Sequence, residues 1–334
     1  MRTPPLRLLQ IDLTDECPLF CSHCSNSSGP GRDTHFPIGR LLEIVSAARD
    51  LGLEMLVYSG GEPLRYPDLE EALLAAKVGG TPATIFTTGI ADKKTRLPVS
   101  AERWRRLNFS GLGTARFSVY SGPSRREFHN SVVQTRPSAG DAFGANEQAI
   151  KDARSAGIAV EVHFVPSGIS VVDLQEIYSW ADHLGCSTLH LQIPTYQGRN
   201  QDRPLLELSY EDEACLKQAA LVLRSIPGQI EFHISRFWMS RWKPSAASNL
   251  ATNLEQLVIR TDGTISPSNA CKYGRVLLEP ENILDAGATL ADIWRRSRSL
   301  QELRDAHGRL RLPDRYKRML AAAPPVEVLH GSAR

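Results

Sequence analysis

Short apolar runs alternate with helix-length amphipathic stretches along the first two hundred residues. "LRLLQIDL" (residues 6–13) reads as a strand, and "FPIGRLLEIVSAARDLG" after it reads as a helix. Pro37 suits the first turn of that helix, Ile38, Leu41, Leu42, Val45 and Ala48 form one apolar stripe, and Gly52 can end it. The alternation then repeats. "EMLVYS", "ATIFTTG", "ARFSVYSG", "IAVEVHFVP" and "STLHLQIP" read as strands. "DLEEALLAAKVGG", "SAERWRRL" with Ser100 as its N-cap, "AFGANEQAIKDARSAG" and "VVDLQEIYSWADHLG" read as helices. Strands that are short and apolar on both faces indicate a parallel sheet covered by helices. Six such βα steps fit a curved, incomplete (β/α)6 barrel or a flat doubly wound sheet, and periodicity does not separate the two.

After residue 204 the rhythm changes. "LSYEDEACLKQAALVLRSIPG" is a helix with Ser209 and Asp212 as an approximate capping box, "QIEFHIS" a strand, and "QLVIRTDGTISPS" a hairpin turning at Asp262-Gly263. "ATLADIWRRSRSLQELRD" reads as one late helix. The expected division is a core over 1–205 and a small α+β extension over 206–334.

Composition narrows the function classes. The chain has 334 residues, 42% of them hydrophobic, enough for a sizeable core. Net charge is only +2, so bulk electrostatics gives no reason to expect nucleic acid. The basic stretch "WRRSRSLQELRDAHGRLRLPDRYKR" carries acids and almost no aromatics, and reads as a solvated helix face. No apolar run reaches the roughly 18 residues of a membrane span, and the N-terminus lacks a signal-peptide pattern. A cytoplasmic protein without membrane contact is expected, and there clustered cysteines read as metal ligands or redox groups.

The cluster is "CPLFCSHC", with Cys17, Cys21 and Cys24 in eight residues. A structural zinc site wants four ligands; His35 is a candidate fourth, but it sits just before a proline-led helix. Three thiolates at this spacing suit a [4Fe–4S] cubane, each holding one iron and leaving the fourth iron open to a ligand.

This C-x3-C-x2-C after the first strand, followed by "SGGEPL" (residues 59–64) at the end of the second, resembles the radical S-adenosylmethionine (SAM) superfamily. The resemblance covers about residues 6–200 and implies a partial (β/α)6 TIM-like barrel with one [4Fe–4S] cluster and SAM. In that family the open iron chelates SAM, one electron cleaves it, and a 5′-deoxyadenosyl radical abstracts hydrogen from substrate. An external one-electron donor such as flavodoxin or ferredoxin is implied. Gly60, Gly61, Glu62 and Pro63 match the family's G-G-E-P, which receives the SAM ammonium. His23 matches an aromatic position beside adenine. Thr88 stands where many relatives have asparagine, and Ser118 matches a fourth-strand serine near the SAM carboxylate. Arg136 is the candidate guanidinium for that carboxylate, with Arg125 or Arg126 as alternatives. Arg199, in "IPTYQGRN", is the candidate substrate or SAM contact.

The stretch from "VIRTDGTISPS" to "LADIW" resembles SPASM or twitch extensions, which carry auxiliary clusters. Only Cys271 lies in that region, as a relic ligand or, alternatively, a hydrogen donor. Cys186 and Cys215 read as buried small side chains. The extension is therefore expected without a cluster, which favours a redox-neutral outcome: epimerisation, decarboxylation, elimination or carbon–carbon bond formation. With Cys17 so near the start, no leader-binding module is expected ahead of it. The expected substrate is then a small molecule, a sugar, nucleoside or amino-acid unit in bacterial natural-product or antibiotic biosynthesis. A ribosomal-peptide maturase is the alternative, and a non-catalytic iron–sulfur binding or regulatory protein is the alternative of another class.

Overall fold

The computed structural model describes residues 3–92, 94–133, 140–193, 197–200, 208–226, 228, 230–235, 238–239, 242, 254–267 and 281–305. Among the described residues nine strands form one sheet: β1 (Leu8–Thr14), β2 (Met55–Gly60), β3 (Ala83–Thr87), β4 (Leu112–Val119), β5 (Ala159–Phe164), β6 (Thr188–Leu191), β7 (Glu231–Ile234), β8 (Gln256–Ile259) and β9 (Ile265–Ser266). Their order is β7-β6-β5-β4-β3-β2-β1-β8-β9, parallel throughout except for the β8–β9 hairpin. Sequential parallel strands need a crossover at every step, and helices supply it. These are α1 (Ile38–Asp50), α2 (Leu69–Val78), α3 (Ala101–Ser110), α4 (Arg126–Val133), α5 (Ala142–Ser155), α6 (Leu174–His183) and α7 (Tyr210–Ser225). Two more, α8 (Leu290–Arg296) and α9 (Arg298–Asp305), close the described chain.

Local chemistry sets the helix ends. Ser100 Oγ accepts from Arg103 N at 3.3 Å, and Ser209 and Asp212 form a full capping box. The late helix expected as one piece is two. Ser297 leaves helical geometry at ψ 120°, and its Oγ then accepts from Leu300 N at 3.2 Å. A serine offering its own side chain to the next turn competes with helix continuation. Sequence reading also passed over α4, whose His129, Val132 and Val133 face inward.

The core lies between sheet and helices, where Leu9, Ile11, Tyr58, Ile85, Phe117 and Phe164 are buried against Leu41, Leu73, Trp104, Ile150 and Ile177. The other face of the strands corrects the expectation of apolar residues on both sides. Gln10 and Asp12 on β1, Arg116 and Ser118 on β4, Glu161 and His163 on β5, and His190 on β6 alternate with the core residues. A small barrel normally fills its interior with branched apolar side chains; this sheet encloses polar groups instead.

The C-terminal strands extend the same sheet at both edges. β7 pairs with β6 and β8 pairs with β1. Arg40 on α1 donates to Ile283 O from Nε at 3.1 Å and from Nη2 at 2.8 Å, and Trp294 Nε1 donates to Pro4 O at 2.8 Å. No described helix is long and apolar enough to cross a membrane.

Candidate active site at the C-terminal ends of the strands

The cysteine loop begins where β1 ends and is folded by its own backbone. Cys17 N donates to Gly29 O at 3.3 Å, Gly29 N to Asp15 O at 3.2 Å, and Cys24 N to Cys21 O at 3.2 Å. The end of β2 packs directly on this loop: Gly61 N donates to Thr14 O at 2.6 Å and Glu62 N to Glu16 O at 2.8 Å. That approach explains the glycines. A Cβ on Gly60 would sit 2.4 Å from Thr14 O, and one on Gly61 2.2 Å from Glu16 O. Gly60 also has φ +117°, a conformation that L side chains avoid. Both glycines are thus required by the chain itself, before any ligand is considered.

Glu62 is fully buried and its carboxylate is heavily used. Oε1 accepts from Thr87 Oγ1 at 2.6 Å and Leu64 N at 3.2 Å; Oε2 accepts from Thr88 Oγ1 at 2.7 Å and Thr88 N at 2.8 Å. Burial raises its pKa, and these four bonds pull against that rise. Thr88, placed by the sequence at an asparagine position, is therefore a partner of Glu62. Pro63 is buried and opens a single 3-10 turn.

A cavity of about 480 Å³ opens in front of these elements. Cys17, Cys21, Cys24, His23, Gly60, Gly61, Glu62, Thr88 and Ser118 all line it. Burial, together with the neighbouring cysteines, pushes the Cys17 thiol well up and Cys21 to about 12. Thiols as disfavoured as anions as Cys17 and Cys21 need a bound cationic centre to become thiolates, and with Cys24 they form a set of free, soft sulfur donors that suits iron–sulfur chemistry. The residues present fit such a cluster. His35 does not join them; its Nε2 faces Glu16 Oε2 at 4.0 Å, and it is absent from the lining.

The His23 ring lies 4.3 Å from the ring of Tyr120, and burial lowers its pKa to about 4. Tyr120 and His129, both missed in the sequence, continue this aromatic wall to Phe143. Arg125 is held by Asp173 at 2.9 Å and Arg126 pairs with Asp141, so both alternative guanidiniums are engaged elsewhere. Arg136 lies outside the described residues, as does Cys271. Arg199 does not line the cavity; it sits behind the cysteine loop, with Nε donating to Cys21 O at 2.8 Å and its backbone N to Cys24 O at 3.0 Å. Cys186 is buried as expected, but Cys215 is exposed, on the solvent side of α7. Sequence reading also missed Arg116, Glu161, His163 and His190, which form the inner wall; strict alternation in "ARFSV", "VEVHF" and "LHLQ" was the available signal.

A family model described as the radical SAM superfamily matches residues 11–184. The chain is 25% identical over 335 residues to a PqqA peptide cyclase of Streptomyces rochei, covering 97% of this chain and 83% of that protein. It is 33% identical over 134 residues to the GTP 3′,8-cyclase of Streptomyces coelicolor, covering 38% of each. In fold it resembles Streptococcus suis SuiB bound to SAM, with a TM-score of 0.69 at 16% identity, covering 90% of this chain and 68% of that one. SuiB has also been crystallised with its precursor peptide SuiA.

Proposed function

We propose, since the chain belongs to the radical SAM superfamily and is an enzyme of it, that it modifies a ribosomally made peptide. One observation carries this reading. The match to the peptide cyclase runs over 97% of the chain, extension included, whereas the match to the nucleotide cyclase covers 38%. The fold likeness to SuiB, itself crystallised with a precursor peptide, points the same way. The free small molecule expected from sequence is the weaker reading, because it rested on what precedes Cys17 and on nothing in the site.

In this reading Cys17, Cys21 and Cys24 hold one [4Fe–4S] cluster and leave an iron for SAM. When bound, the pair supplies one-electron cleavage of a sulfonium and abstraction of a hydrogen atom. The chain's own groups position and exclude. The His23–Tyr120 wall and Ser118 frame the nucleoside side of the cavity. Gly60, Gly61 and Glu62 frame the amino-acid side, with Arg136 as the carboxylate partner. Glu62 meets the ammonium only if a threonine hydroxyl yields its place, since all four of its bonds are taken. Residues 1–205 form the core and 206–334 the extension. With only Cys215 and Cys271 there, too few thiols for a second cubane, one cluster and a redox-neutral change are proposed. A reducing cytoplasm with flavodoxin or ferredoxin as donor suits such a site.

The test is anaerobic incubation of reconstituted enzyme with SAM, a reductant and short peptides encoded beside its gene. Formation of 5′-deoxyadenosine with a modified peptide by mass spectrometry is the expected result. Turnover of a free sugar, nucleoside or amino acid, with no peptide modified, overturns the peptide reading.

A further inference from the structure

The inner wall beyond the cysteine loop is a cluster on adjacent strands. Ser118, His163, His190 and His233 stand in register across β4, β5, β6 and β7, and Arg116 stands beside Glu161. Glu161 Oε2 accepts from Arg116 Nε at 2.6 Å and lies 3.1 Å from His190 Nε2. His163 Nε2 is 3.8 Å from the same oxygen, too long for a hydrogen bond. His163 lines the cavity, is 6% exposed, and its Nε2 is buried without a hydrogen-bond partner. Its ring is wedged edge-on to Phe86 at 5.1 Å and against His190 at 4.4 Å.

An orphaned polar atom in a buried site is costly unless something arrives to pair with it. The charges say what arrives. Arg116 and Glu161 neutralise one another, and burial lowers the His163 pKa to about 4, so His163 is an uncharged imidazole at neutral pH. Two imidazoles and a carboxylate are also a donor set for a divalent metal. Adjacent ligands at bonds of about 2.1 Å would stand roughly 3.0–3.4 Å apart, which His190 and Glu161 meet at 3.1 Å and His163 and Glu161 exceed at 3.8 Å. A cation there would face the Arg116 guanidinium, which already occupies the same carboxylate oxygen. The cluster is electrically complete, and what it lacks is one neutral hydrogen bond.

We propose that this wall is a substrate subsite in which His163 Nε2 hydrogen-bonds an uncharged amide or hydroxyl group of the bound peptide, while Glu161 and Arg116 hold the wall in place. The proposal rests on the peptide reading above for the identity of the ligand, and on this geometry for the contact. No bond is made or broken by it; it aligns the substrate beside the radical source.

The test uses reconstituted holoenzyme with SAM and the peptide shown to be modified, measuring the Kd of the fluorescently labelled peptide and of SAM separately. His163→Phe keeps the packing against Phe86 and removes Nε2. Peptide affinity is expected to fall about 5- to 100-fold, as for a buried partner left unpaired, while SAM affinity and the cluster spectrum stay unchanged; His163→Gln, which restores a hydrogen-bonding group, recovers part of the loss. Unchanged peptide affinity in His163→Phe overturns the subsite. Peptide binding that requires added Mn2+ also overturns it, and makes the three side chains a metal site. If no peptide is modified but a small hydroxylated substrate is, and its affinity falls in His163→Phe, the contact stands and only the peptide reading fails.

Discussion

Arg199 donates through Nε to the carbonyl oxygen of Cys21 at 2.8 Å, 178 residues away in sequence. Its guanidinium also lies over the Phe20 ring at 4.0 Å, and Gly198 beside it leaves no room for a Cβ against Cys24 O. The residue expected to touch substrate is thus a clamp on the cysteine loop. It also places a positive charge next to Cys21.

Arg199→Ala removes both clamp and charge. The expected outcome is lower iron retention on gel filtration and a more negative midpoint potential in an EPR-monitored titration, since net charge near a cluster sets its potential. Arg199→Lys should restore much of the potential but less of the retention, because an ammonium lacks the planar fork. A potential unchanged in Arg199→Ala would show that the charge is not felt at the cluster.

Anaerobic reconstitution is expected to give about four irons and four sulfides per chain, and alanine at Cys17, Cys21 or Cys24 should abolish the brown chromophore. Cys215→Ala should change nothing, since that thiol is exposed and outside the cavity. Iron near eight per wild-type chain would mean that the extension holds a second cluster.

Much of this was readable because two physical signals are strong. Buried parallel strands and their crossover helices impose a rhythm on the apolar residues, and the clustered cysteines and the glycines of "SGGEPL" stand out as short motifs, the glycines because the end of β2 meets the loop after β1 so closely. The inner wall escaped because "RFSV" and "VEVHF" were read as apolar on both faces, although Arg116, Glu161 and His163 fall on alternate positions. The contact of Arg199 with the cysteine loop was not legible for a different reason. Nothing local says that the segment after β6 folds back on the cysteine loop; that is a tertiary fact, like the break at Ser297.

Two buried histidines predict an acid sensitivity. Burial lowers the pKa of His129 to about 3 and of His163 to about 4, below the 6.5 or so of an unfolded chain. Between those values the unfolded state binds more protons, so stability rises with pH up to about 6.5 and is lost as pH falls below it. At pH 5 each histidine could cost on the order of 2 kcal/mol. Thermal melts of wild type and His129→Asn from pH 7.5 to 5 check this: the variant should start lower but show a shallower decline. Parallel curves would mean that His129 does not titrate on unfolding in this range.

Glu62→Gln puts an amide where four donors converge, so at least one donor must face another. Both stability and SAM affinity should drop, each by roughly 1–3 kcal/mol for the bonds lost or frustrated, with the cysteine ligands intact. Thr88→Val removes the hydroxyl's bond to Glu62 at 2.7 Å and the one it accepts from Ile90 N at 3.3 Å, keeps the carboxylate and its other three partners, and should cost less. A Glu62→Gln protein that melts like wild type but fails to bind SAM would mean that the carboxylate serves the ligand and not the loop.

The tightest joint in the site is between the ends of β1 and β2, and Gly61→Ala probes it without touching a side chain. Gly61 carries no positive φ, so alanine has no intrinsic backbone penalty there. What it meets is backbone: the added Cβ would lie 2.2 Å from Glu16 O and 2.7 Å from Glu16 C. Neither can rotate aside, so the two loops must part. That breaks the bonds from Gly61 N to Thr14 O and from Glu62 N to Glu16 O, and moves Cys17, the next residue along. The expected result is a folded protein, because the change falls in the turn after β2 and leaves the strand pairings in place, with cluster incorporation and SAM binding lost together. Gly39→Ala is the control, because a Cβ there meets nothing within 4 Å. If Gly61→Ala takes up iron and binds SAM as wild type does, the close approach of the two loops is not what holds the cysteines in position.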